Sequence, residues 1–210
     1  MKQYKYILLA LALLALGVGI LAAIQFSSSQ TDNSATVFSD KNGTPVSIQA
    51  GEFGGDFSLV QGDKTVKLSD FRGKVVLFYF GYTSCPDVCP TTLSILGAGL
   101  KELTPEEIAQ VQAIFISVDP DRDHADKLMN YAKHFHPNFI GLTATDNEAI
   151  QKIAAQYGAF FAKADSDSAL SYLIDHTSNS YVVSKDGKYV KILPHDTNKS
   201  AVASSIREAL

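Results

Sequence analysis

Two runs of strand length, VVLFYF at residues 75 to 80 and AIFISV at 113 to 118, show no polar alternation. A strand of that kind can be buried only if both faces of its sheet are covered, which restricts the chain to a sheet with helices on either side. Between the two runs Leu93, Leu96, Leu100 and Leu103 recur at helical spacing, and the pattern stops at Thr104-Pro105. A second helical stretch, about 123 to 135, follows Val118-Asp119-Pro120. There Pro120 closes the strand, and Asp121 or Asp123 is expected to cap the helix. A third helix is expected over 146 to 157, with Asp146 as its N-cap and Gly158 just past its end.

Strand patterns return at about 171 to 175, 180 to 184 and 188 to 193, the last two joined by the turn signal Lys185-Asp186-Gly187. A final helix fits 198 to 209. This order predicts an α/β, three-layer architecture with a mixed central sheet flanked by helices, the order of the thioredoxin-like fold.

The N-terminus is different in kind. Residues 7 to 26 carry no charge and are almost wholly apolar. That length matches the ~20 residues a helix needs to cross a bilayer and exceeds the ~7–15 of a secretory h-region. Ala22-Ala23 is a poor cleavage site, so an uncleaved transmembrane anchor is expected over 1–26. Lys2 and Lys5 keep the short end cytoplasmic, which places the body on the extracytoplasmic, periplasmic side of a bacterial cytoplasmic membrane in a single-pass arrangement. The absence of a cysteine beside this run excludes a lipoprotein anchor. Residues 27–44, rich in Ser, Thr, Asn and Asp, read as a flexible linker, and 45–210 as one folded domain.

The chain has 18 Lys and Arg against 22 Asp and Glu; without Lys2 and Lys5 the remainder has 16 against 22 and carries −6. No cluster of basic residues is present, which argues against nucleic acid as a partner.

Both cysteines fall in Gly81-Tyr82-Thr83-Ser84-Cys85-Pro86-Asp87-Val88-Cys89-Pro90, directly after the first apolar run. Their spacing, Cys-x3-Cys, is one residue longer than that of thioredoxin-like oxidoreductases. Proline costs little at the start of a helix, so the regular helix is expected to begin near Pro90, with Cys85 in the loop and Cys89 at the cap. Unpaired N–H groups and the helix dipole stabilise thiolates there, ready for metal binding or disulfide exchange. A passive disulfide would close a loop too short to add much stability. Two thiolates are soft ligands that select Cu(I), Zn or iron–sulfur clusters, and a copper or zinc site needs at least one more donor.

The histidines supply the candidates. His124, His134 and His136 lie on or near a polar helix and read as solvated; His195, after Pro194, reads as a loop residue. His176 stands at the entry to the terminal hairpin, where thioredoxin-like oxidoreductases carry a cis-proline against their cysteine motif. Asp119, Asp121 and Asp123 read as turn and helix caps, with partner recognition as the alternative.

The segments GYTSCPDVCPTTL at 81–93, ISVDPDRD at 116–123 and YLIDHTSNSYVVSKDG at 172–187, behind a membrane anchor, resemble those of the Sco/SenC family. That family comprises copper chaperones and thiol proteins of cytochrome c oxidase assembly, and the likeness spans roughly residues 53 to 209. It implies that Cys85, Cys89 and His176 are copper ligands for Cu(I), Cu(II) or both; Cu(II) would want a fourth donor, for which Asp175 and water are the candidates. It also implies a metallochaperone serving the dinuclear copper site of cytochrome c oxidase subunit II, with other copper chaperones or thioredoxin-like reductants as further partners. Ser84 departs from the family's frequent histidine, though not at a ligand position. The alternative activity is a thiol:disulfide oxidoreductase that reduces the oxidase subunit's cysteines before metallation; a peroxiredoxin-type peroxidase is a third, weaker reading.

Overall fold

Every side chain of β5 (Val75–Gly81) is buried, and so are all but one in β6 (Val111–Ser117), which runs parallel beside it. These two strands form the middle of a seven-stranded mixed sheet. The computed structural model describes residues 36–39, 45–48, 53–165 and 172–210. On one side of the central pair, β7 (Phe139–Thr143) continues the parallel ladder, followed by the antiparallel hairpin of β3 (Ser58–Gln61) and β4 (Lys64–Lys67). On the other side, β10 (Ser180–Val183) adds antiparallel to β5, and β11 (Tyr189–Leu193) pairs antiparallel with β10 at the edge. Gly187 turns their hairpin with φ +78° and donates its N–H to Ser184 O at 2.8 Å, a conformation suited to glycine.

Because side chains alternate along β5, it builds two cores at once. Phe78 and Phe80 point to one face, where Phe78 meets Tyr157, Tyr181 and Phe57 with ring centroids 4.8, 5.0 and 5.8 Å apart. Leu77 and Tyr79 point to the other, beneath α1 (Val88–Leu100) and α3 (Ala125–Phe135), so that Phe115 of β6 lies beside Tyr79 and under Tyr131 of α3. Leu93, Leu96 and Leu100 are the buried stripe of α1, as their spacing implies. Each such side chain contributes about 1.5–3 kcal/mol by leaving water. A short α2 (Pro105–Ile108) leads into β6, α4 (Asn147–Gln156) follows β7 with Asp146 accepting from Ala149 N, and α5 (Lys199–Ala209) closes the chain against α1. The order and the mixed sheet are those of the thioredoxin-like fold.

A separate two-stranded ribbon, β8 (Phe161–Asp165) with β9 (Tyr172–His176), carries the histidine. Thr36–Ser39 (β1) pairs antiparallel with Pro45–Ile48 (β2), so part of the stretch read as linker is a strand; Thr36, Val37 and Phe38 supply the β-propensity. The anchor expected over 1–26 and the linker residues 27–35 and 40–44 lie outside the described residues. Among the described residues no helix is long and apolar enough to cross a membrane.

Candidate metal centre

The helix after the cysteine motif begins at Val88, two residues before the expected Pro90. Proline is tolerated there because the N–H groups of a helix's first turn have no intrahelical partner to lose. Cys89 therefore sits inside the first turn and Cys85 in the loop before it, and the Cys89 N–H points to Cys85 Sγ at 3.5 Å. Cys89 is wholly buried and Cys85 half-buried, and both are free thiols. Gly81, the last residue of β5, makes the approach: a Cβ added there would lie 2.8 Å from Cys89 Sγ and 3.0 Å from Phe115. Any larger residue would push the sulfur out of its seat.

His176 ends β9, and its Nε2 lies 3.3 Å from Cys89 Sγ. Its Nδ1 is 3.0 Å from the carbonyl oxygen of Thr177. A carbonyl can only accept, so Nδ1 carries the proton and Nε2 presents its lone pair to the cysteines. One donor atom from each of Cys85, Cys89 and His176 lies within 4.8 Å of the others. Tyr79 and Tyr82 wall the imidazole edge-on, with centroids 6.0 and 5.9 Å away, and Tyr79 OH approaches Cys89 Sγ at 3.7 Å.

The two sulfurs are electrostatically unequal. The Cys85 thiol is pulled down to about 3, chiefly because Cys89 donates a hydrogen bond to its sulfur. The N–H groups of Cys89 and Asp87 act in the same direction, against partial burial. Cys89 is held well above the usual thiol range by that same hydrogen bond and then by burial. Thiolate exists above a thiol's pKa, so Cys85 is the sulfur that ionises at the lower pH and Cys89 the one that keeps its proton to higher pH. At pH 5 iodoacetamide is expected to label Cys85 and spare Cys89, read by peptide mass mapping; equal labelling would contradict the asymmetry.

The remaining candidates separate. Asp175 is exposed and, by strand alternation, on the opposite face of β9 from His176, so it is not brought to the donor set as a fourth ligand. His134 is exposed on α3, His124 and His136 flank that helix, and His195 reaches Thr92 Oγ1 at 2.9 Å rather than the sulfurs. The expected caps at Asp119 and Asp123 are something else. His124 is the N-cap of α3, and both carboxylates are buried. Asp123 accepts from Thr83 N at 2.9 Å, from the Thr83 hydroxyl and from Ser117 Oγ at 2.7 Å, tying the cysteine loop to the end of β6. Asp119 accepts from Tyr172 OH at 2.7 Å. Asp121 is exposed and pairs with Lys163 at 2.8 Å.

Residues 45–210 match the family model described as SCO1/SenC. The chain belongs to the SCO1/SenC family. Among its Sco relatives, the SCO2-like protein RP587 of Rickettsia prowazekii is 37% identical over 159 residues, 70% of this chain and 77% of its own length. Bradyrhizobium japonicum ScoI, solved with copper bound, is 34% identical with a TM-score of 0.67, over 75% of this chain and 99% of that one. BsSco is a member of the Sco family of cytochrome c oxidase assembly proteins in which a disulfide switch has been identified. It is 27% identical with a TM-score of 0.57, over 74% and 91%.

Proposed function

We propose that this Sco protein is a membrane-anchored copper chaperone in which Cys85, Cys89 and His176 hold one copper ion as cargo and hand it to the dinuclear copper site of cytochrome c oxidase subunit II. The observation that carries the reading is the seat of His176 Nε2 3.3 Å from Cys89 Sγ, with Cys85 in reach of both. Two thiolates and a neutral imidazole form a soft donor set that matches Cu(I). Their net charge of −1 with the ion would rest at the N-terminus of α1. The copper-bound Bradyrhizobium ScoI and the oxidase-assembly role given for BsSco support the extension to this chain. The apolar run at residues 7 to 26 would keep the domain beside its membrane-bound partner, on the periplasmic face.

The thiolate at Cys85 and the disulfide switch of BsSco favour one further reading, a thiol:disulfide oxidoreductase that reduces the oxidase subunit's cysteines. In this reading His176 is no ligand. The longer cysteine spacing, and a histidine where such reductases carry proline, weigh against it.

The two readings diverge on titration of the full chain with Cu(I) against a competing chelator. The reduced protein is expected to take up one copper, and the protein carrying a Cys85–Cys89 disulfide none, because the ligand thiols are consumed. Transfer of that copper to a purified subunit II domain completes the test. A reduced chain that binds no copper yet reduces the subunit's disulfide would replace the chaperone reading with the second.

A further inference from the structure

The third donor rides on an element that the main sheet does not hold. Among the described residues β9 pairs with β8 alone, and a two-stranded ribbon is at best marginally stable in water. What fixes β9 against the cysteine loop must therefore include its side chains. Strand alternation puts Tyr172, Ile174 and His176 on one face, and Tyr172 stands about 13 Å of strand upstream of the imidazole.

Tyr172 is held at its hydroxyl, its ring and its carbonyl. Its hydroxyl donates to the buried carboxylate of Asp119 at 2.7 Å, and the Arg122 guanidinium lies 3.6 Å from its ring centroid. Its carbonyl accepts from Arg122 Nη1 at 3.0 Å, and Arg122 is itself paired with Asp119. Four residues along the same loop, Asp123 grips Thr83, two positions before Cys85. The loop 119–123 thus touches both halves of the site, the cysteine loop through one carboxylate and the histidine strand through the other. Halfway along β9, Ile174 N–H donates to Tyr82 OH at 3.2 Å, a bond that any residue at 174 except proline would make. It fastens the strand without depending on which side chain precedes it.

We propose that Tyr172, gripped by Asp119 and Arg122, is a positioning residue that sets the register of β9 and so places His176 Nε2 over Cys89. The inference rests on the reading of Cys85, Cys89 and His176 as the metal site. It adds that the geometry of the third ligand is governed from a tyrosine that touches no metal.

The test is a double-mutant cycle in the reduced full chain: wild type, Tyr172→Phe, His176→Ala and the pair, each titrated with Cu(II). Tyr172→Phe keeps the ring under Arg122 and removes only the hydroxyl. It is expected to weaken Cu(II) binding about tenfold, the range for losing a partner that orients a ligand. In the His176→Ala background the same change is expected to have no further effect, because the residue acts through the imidazole. An equal loss in both backgrounds would mean general loosening and would overturn the proposal, as would no loss in either.

A metal-free readout keeps the two readings apart. With histidine and tyrosine labelled for NMR, cross-peaks between the His176 ring and the Tyr79 and Tyr82 rings are expected to weaken in Tyr172→Phe. Undiminished cross-peaks overturn the positioning role whatever copper does. If the wild-type chain binds no copper while Tyr172→Phe still weakens the cross-peaks, the copper reading is overturned and the positioning of His176 supported.

Discussion

A His176→Ala variant is expected to lose Cu(II) affinity by more than the ~10–100-fold that removing an outer partner of a ligand costs. His134→Ala is expected to change nothing. Both residues are histidines in the same domain, so the contrast isolates position from chemistry. His134 is exposed on α3, whereas the His176 ring is held between Tyr79 and Tyr82 with its proton fixed on Nδ1 by Thr177. Competitive titration gives the affinities, and nitrogen hyperfine structure in the electron paramagnetic resonance of the Cu(II) form shows whether an imidazole is bound. Unchanged affinity and spectrum in the His176 variant would remove it from the site. Cu(I), which two thiolates can hold alone, is expected to lose less than Cu(II), since the harder ion depends more on a nitrogen donor.

Asp123→Ala is the substitution expected to cost most in folding. The carboxylate is buried and accepts from the Thr83 N–H, the Thr83 hydroxyl and the Ser117 hydroxyl, with Lys127 Nζ at 3.0 Å reaching in from the partly exposed side. Without it the buried Ser117 hydroxyl loses its acceptor, at about 1–3 kcal/mol, and the partly buried Thr83 N–H and hydroxyl lose theirs at a smaller cost, so a loss of roughly 2–4 kcal/mol is expected. Chemical denaturation monitored by circular dichroism reads it directly. The Lys127 pair adds little, because its ammonium is half in water. Since Thr83 is two residues from Cys85, the variant is also expected to label less selectively at Cys85, the loop no longer holding the sulfur under the N–H groups that stabilise its thiolate. A fall below about 1 kcal/mol would show that Ser117 and Thr83 find water instead.

The parts of this fold that could be read in advance were those whose pattern lies within one segment. The apolar runs at 75 to 80 and 113 to 118 are the buried central strands, the leucines of α1 face the core, and Asp146 caps α4. β7 escaped notice because Gly141 interrupts its five residues. That glycine is there for packing, since a Cβ would lie 2.6 Å from the backbone of Leu128. The hairpin of β3 and β4 hides behind charged and polar residues facing outward at the sheet edge.

In the site, the cysteines and His176 were legible because their chemistry demands company. Asp119 and Asp123 were not: spacing near a helix start suggests a cap, while their partners lie 53 and 40 residues away in sequence. Tyr79 lies within an apolar strand run, and nothing in its sequence context announces that its hydroxyl faces a thiol. Tyr82 was likewise invisible, although its oxygen receives the backbone of β9.

On the copper-chaperone reading and on the oxidoreductase reading alike, the unequal burial of the two sulfurs gives traffic through this centre a direction. Cys89 is sealed beneath Tyr79, Phe115 and the bare Cα of Gly81, while Cys85 reaches the surface. A nucleophilic sulfur from another protein meets Cys85 first. If the pair is joined as a disulfide, that attack bonds the incomer to Cys85 Sγ, and the S–S electron pair departs with Cys89, which is reprotonated inside the fold. If a metal bridges the donors, the newcomer enters on the Cys85 side, and the innermost thiolate is the last to let go. Arrival and departure thus share one door, and the order of exchange is set by which sulfur the helix buries.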